Sequence, residues 1–173
     1  MRTGFTTGKR AALAAMTGAA AAAVVGLASP AGAAPVAAAK VTGTEHFQMM
    51  TTSGTTSAFP VIAYGVFTTS GVDHESGGAA ATFVFPGGTV KVRHTSGTGP
   101  QSFNPKTCLL QAHLHGTYTL TGGTGKYKGI SGHGTYTLSI LGIGAKSKGT
   151  CSQTLPPVAW QQVIDASGPV TLP

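Results

Sequence analysis

The stretch Thr121–Thr137, TGGTGKYKGISGHGTYT, constrains the fold more than any other. It packs glycines around two lysines and two tyrosines, and apolar and polar residues alternate on either side of it. Glycine reaches backbone angles that strain other residues, so this run reads as the long turn of a hairpin between two strands.

The same period of two continues through the chain after Lys40, where Thr, Gly, Val, Phe and Tyr dominate and no helical period of useful length occurs. Eight strands are predicted, at about Val41–Thr52, Pro60–Thr69, Ala79–Phe85, Thr89–Ser96, Thr107–Leu120, Ser131–Leu141, Ala145–Gln153 and Val158–Val170. Pro86-Gly87-Gly88 marks a turn, Gly97–Pro105 reads as loop, and Leu155-Pro156-Pro157 breaks the chain. Short or glycine-rich links between so many strands imply an antiparallel meander. Closing it removes the exposed edges, so the predicted fold is all-β, an eight-stranded antiparallel up-and-down barrel of calycin-like type.

Alternation predicts which side chains point inward. Leu110, Ala112, Leu114, Tyr118 and Leu120 form one inner row, and Tyr136, Leu138 and Ile140 another. Val90, Val92 and His94 point in, while Lys91, Arg93 and Thr95 point out. In the first strand Glu45, Phe47 and Met49 share a face, but the opposite face also carries a Met, so its sense stays open. GTYTL occurs twice, at Gly116–Leu120 and Gly134–Leu138, as the two arms of one hairpin.

Residues 1–33 read as a secretory signal peptide: Arg2, Lys9 and Arg10, then the uncharged Ala11–Leu27, then Ser29-Pro30 and the small-residue exit Ala31-Gly32-Ala33. An Ala-rich membrane anchor is the competing reading. Residues 34–40 are expected to be a disordered leader and 41–173 a single barrel domain. The expected localisation is extracellular, with cell-wall association as a variant, and no membrane span remains once the signal is removed. The exported part carries eight basic and four acidic residues, scattered rather than striped. Nucleic-acid binding calls for a dense basic stripe and stacking aromatics, so no nucleic-acid partner is expected. The mild charge reads as solubility or weak attraction to an anionic envelope. Cys108 and Cys151 are the only cysteines, and an even count in an exported chain predicts one disulfide between them.

The run Gly122-Gly123-Thr124-Gly125-Lys126-Tyr127-Lys128-Gly129-Ile130-Ser131-Gly132-His133-Gly134 resembles the GGTGxYxGxxGxG turn of the dirigent and allene-oxide-cyclase barrel superfamily. The match is dense over this turn and its flanking strands, and one of pattern elsewhere. The resemblance implies an eight-stranded barrel with an apolar cavity, often as a homo-oligomer. The cyclases guide ring closure of a fatty-acid epoxide, and the dirigents steer coupling of phenoxy radicals. It also implies a structural turn, with Tyr127 covering one barrel end. No catalytic residue transfers by position.

Several constellations remain to be weighed. Glu45 and His94, on faces predicted to be interior, are the candidate catalytic pair, since buried ionisable groups in a cavity suit acid–base chemistry. A structural hydrogen bond is the competing reading for both. Tyr64, Tyr118, Tyr136 and Trp160 are the candidate ligand-lining residues. His113, His115 and His133 form a candidate surface metal set. They sit on the polar outer face without enclosing partners, so no metal and no cofactor is expected. Asp73-His74-Glu75 reads as a solvated loop. Its Asp–His pair lacks a nucleophile, because no GxSxG elbow exists and Cys108 is expected to be oxidised.

Three functions follow from different classes. The leading one is binding of a small apolar or aromatic molecule in the barrel, without catalysis. The second is a cyclase or isomerase acting in the cavity. The third is a structural or envelope-associated protein with a filled barrel and no ligand.

Overall fold

The computed structural model describes residues 39–173. The predicted signal peptide and most of the predicted leader lie outside the described residues.

Eleven strands form: β1 (Val41–Thr51), β2 (Ala58–Tyr64), β3 (Thr69–Glu75), β4 (Ala80–Phe85), β5 (Gly88–His94), β6 (Gln101–Asn104), β7 (Leu109–Gly123), β8 (Ser131–Ile143), β9 (Lys146–Ser147), β10 (Thr150–Cys151) and β11 (Ala159–Leu172). A single 3-10 turn, Gly125–Tyr127, is the only helical piece among the described residues. Neighbours run β5-β4-β3-β2-β1-β11-β8-β7. The upper half of β7 then pairs back onto β5, from Val90↔Gly123 to His94↔Tyr118. The result is a closed, antiparallel, up-and-down barrel of eight strands. A register shift between Lys91 and Val92 lies on the closing seam, where a bulge bends the strand.

Eight is the predicted number, but two of the strands differ. The segment 69–75, expected to end one strand and become a solvated loop, is barrel strand β3. Its inner face is Thr69, Gly71, Asp73 and Glu75, while Val72 points outward and is exposed. Apolar alternation is therefore inverted there, and the hydropathy pattern conceals the strand. The expected strand at 145–153 is instead the two-residue hairpin β9–β10, outside the barrel. The expected loop 97–105 contains β6, which pairs with the lower half of β7 outside the ring.

The inner rows otherwise follow the alternation. Val90, Val92, Tyr118 and Leu120 are buried, and Lys91 and Arg93 are exposed. In β1 Glu45, Phe47 and Met49 face inward, and Met50 faces solvent.

The barrel interior has a packed half and a hollow half. Tyr127, in the 3-10 turn, is buried and stands 5.1 Å from the Phe67 ring and 5.5 Å from Phe85. With Ile130, Val90 and Val170 these rings stopper one end. The glycine turn reaches that position by docking on the β4–β5 turn. The Thr124 N–H donates to Thr89 O and the Lys126 N–H to Gly87 O, both at 2.9 Å, while Thr124 Oγ1 accepts the Thr89 N–H at 3.0 Å. Gly125 has φ 57°, and a Cβ there would collide with Gly87 O. The motif is thus a device for carrying one aromatic ring into the barrel end.

Cys108 and Cys151 are joined by a disulfide, with Cα atoms 5.2 Å apart. It ties the start of β7 to the β9–β10 hairpin, and no free cysteine remains among the described residues. A disulfide fits an oxidising, extracellular compartment.

Candidate binding cavity

Beyond the stopper the barrel holds a cavity of about 220 Å³. Phe47, Met49, Phe59, Phe83 and Ile164 supply much of its apolar wall. An apolar cavity of roughly 150 Å³ suffices for benzene, so one substituted ring fits here. The polar members of the wall are Asp73 and Glu75 from β3, His94 from β5, Tyr118 from β7, Tyr136 from β8 and Gln162 from β11.

Asp73 is 1% exposed, and its cross-strand neighbours are Phe59 and Phe83. Its Oδ1 has no hydrogen-bond partner among the described residues. Burial pushes its carboxyl up to about 7; Glu75 adds to the rise and His94 opposes it. The Tyr118 hydroxyl is likewise buried and unpartnered. Burial pushes it up to about 12, with the nearby Glu45 charge contributing.

At the rim, Glu75 Oε2 stands 3.3 Å from His94 Nε2, and both side chains are about a quarter exposed (28% and 24%). His94 Nδ1 is 3.2 Å from the Thr95 carbonyl, which can only accept, so Nδ1 carries a hydrogen. The Tyr136 hydroxyl donates to Thr95 O at 2.7 Å, which fixes its ring edge-on to His94 at 6.2 Å. Burial, with Glu75, raises the Tyr136 hydroxyl above its ordinary value.

The candidate residues separate. His94, Tyr118 and Tyr136 border the cavity together. Glu45 is fully buried but does not border it. Its Oε2 accepts the Phe67 N–H at 3.1 Å, and the neighbouring Val66 amide also favours the ionised carboxyl. Burial outweighs these bonds and raises its carboxyl. The structure does not bring Glu45 and His94 together: Glu45 anchors the β2–β3 connection, and the carboxyl beside His94 is Glu75. Tyr64 is on the outer face, stacked on His46 at 4.8 Å, and edges an external hollow with Asp165 and Ser167. Trp160 packs on Gly54, Gly142 and Pro157, clear of the cavity wall.

The histidine set also divides. His113 and His115 lie on the outer face of β7 with rings 4.8 Å apart, and His113 Nδ1 meets Ser139 Oγ at 3.1 Å. His133 pairs with Thr119, several residues further along the same strand pair. Among the described residues no group of three or more His, Cys, Asp or Glu is placed to hold a metal ion.

Compared with protein-family models, with curated proteins and with solved structures, the chain matches none.

Proposed function

We propose that the protein is a secreted binding barrel that holds one small, mainly apolar or aromatic molecule, in the manner of the dirigent and allene-oxide-cyclase-like barrels it resembles. One observation carries this reading. The apolar cavity keeps two buried polar atoms, Asp73 Oδ1 and Tyr118 Oη, without partners. Buried polar atoms are nearly always satisfied in native proteins, and an unfilled cavity costs stability. A molecule with an apolar body and one polar group answers both. The hollow also weighs against a filled barrel with a purely structural role.

The test is native mass spectrometry of the protein purified from its own culture medium, with and without denaturation. A small molecule that leaves on denaturation is the expected result. A ligand-free protein whose cavity residues show no NMR shift change with any of a panel of single-ring compounds overturns the reading.

Catalysis is the second reading, and Asp73 favours it: a carboxyl titrating near neutrality inside a cavity suits proton transfer. Such an isomerase or cyclase would use Asp73, with His94 and Tyr118 beside the substrate. Asp73→Asn would then abolish turnover of the co-purified molecule or its precursor even at saturating substrate, with the barrel still folded by circular dichroism. Unchanged turnover rules this version out.

A further inference from the structure

The cavity's ionisable groups are unbalanced. β3 contributes two carboxyls, Asp73 and Glu75, and among the described residues the only basic group lining the cavity with them is His94 of β5. β7 and β8 add the hydroxyls of Tyr118 and Tyr136, and β11 adds the neutral amide of Gln162. The wall residues from β1, β2 and β4 do not titrate. Lys91 and Arg93, which flank the inward Val92, both point to solvent. His94 is engaged by Glu75 on one side and by Thr95 O on the other. Asp73 is left with aromatic neighbours, Phe59 and Phe83, and an unpartnered oxygen.

An acidic group between two aromatic rings complements a cation. A carboxylate accepts strongly from an ammonium N–H, and ring faces attract a desolvated ammonium. The Tyr118 oxygen offers a further acceptor for the same group. An anion would meet two carboxyls and no free base.

We propose that the occupant is a single-ring or similarly compact amine, whose ammonium sits against Asp73 and the Tyr118 hydroxyl and whose apolar body lies among the phenylalanines. This rests on the binding role proposed above and narrows it to a ligand class. Ionised Asp73 is the form that pairs with the ammonium. Affinity for an amine therefore rises as Asp73 loses its proton, and affinity for a neutral ring does not.

The experiment is calorimetric titration of the full barrel with three probes of similar shape: benzylamine, benzyl alcohol and benzoate. At pH 8 the expected order is benzylamine first, by at least about ten-fold. Benzylamine affinity should rise several-fold from pH 6 to pH 8, as a carboxyl near 7 ionises, while that of benzyl alcohol stays flat. Asp73→Asn should bring benzylamine down to parity with benzyl alcohol. Glu75→Gln, at the partly exposed rim and close in shape to the native residue, should reduce the preference several-fold and serves if the Asp73 variant does not fold. Benzyl alcohol or benzoate binding as well as benzylamine to the native protein overturns the amine assignment and leaves the binding role standing. Binding of none of the three overturns the assignment, and together with a ligand-free native mass spectrum it overturns the binding role as well.

Discussion

Asp73 sets an opposition between stability and function that a single substitution can expose. Its carboxyl titrates near 7 in the folded chain against 3.8 as the ordinary value. The folded state therefore holds a proton that the unfolded state has released between those limits. Stability is full below about pH 4 and falls as pH rises toward 7, by up to a few kcal/mol at about 1.4 kcal/mol per unit. Asp73→Asn should flatten this slope and raise the melting temperature at pH 8, which calorimetry across pH checks directly. Glu45 behaves differently. Glu45→Ala leaves the Phe67 amide unpaired at a cost of about 1–3 kcal/mol, while cavity binding stays as it was. Chemical denaturation beside a ligand titration separates the two effects. The alternation of β1 put Glu45, Phe47 and Met49 on one face without deciding its side, and whether an inward carboxyl meets a cavity or a backbone amide depends on a chain segment twenty-two positions away. Asp73 was hidden by its own strand, whose inner residues are polar or glycine and whose apolar Val72 faces water. The spacing Asp-x-Glu was the one available signal, since it puts two carboxyls on one face of any strand.

The β7–β8 hairpin gives the repeated GTYTL a physical meaning. Gly116 pairs with Tyr136, and Tyr118 with Gly134. A Cβ on Gly116 would run into the Tyr136 ring, and one on Gly134 would meet the Ser167 carbonyl as well as the Tyr118 ring. Each tyrosine thus lies over the glycine of the opposite strand, an aromatic covering for a bare backbone. The two cavity tyrosines are aimed by this reciprocal arrangement. Gly116→Ala or Gly134→Ala should each cost about 1–3 kcal/mol by overpacking and weaken ligand binding, whereas Thr117→Ala, whose side chain faces outward, should do neither. Urea melts and titrations of the three variants decide it. The hairpin itself was legible, because a glycine run between alternating segments has few other solutions. The identity of every barrel strand was not: β3 lacks an apolar inner row, and 145–153 has strand composition yet turns back on itself at Lys148-Gly149 as the β9–β10 hairpin.

Across the whole molecule, closure and the disulfide act on different parts. The ring closes through β5–β7 hydrogen bonding, while Cys108–Cys151 spans 43 positions and holds the hairpin outside it. Reduction should lower stability by about 4 kcal/mol on loop entropy without opening the cavity, so ligand affinity measured below the melting temperature should survive reductant. Scanning calorimetry and titration with and without dithiothreitol test both halves of that statement. The aromatic stopper has a consequence for traffic. With Tyr127 and its neighbours packed into one end, traffic is expected at the other, where the Glu75–His94 pair is partly exposed. Arrival and departure must use the same route, so a second compound cannot push the first out from behind. Two ligands will compete one for one, exchange will wait on spontaneous departure of the resident, and the rate of replacement will be independent of how much newcomer is supplied.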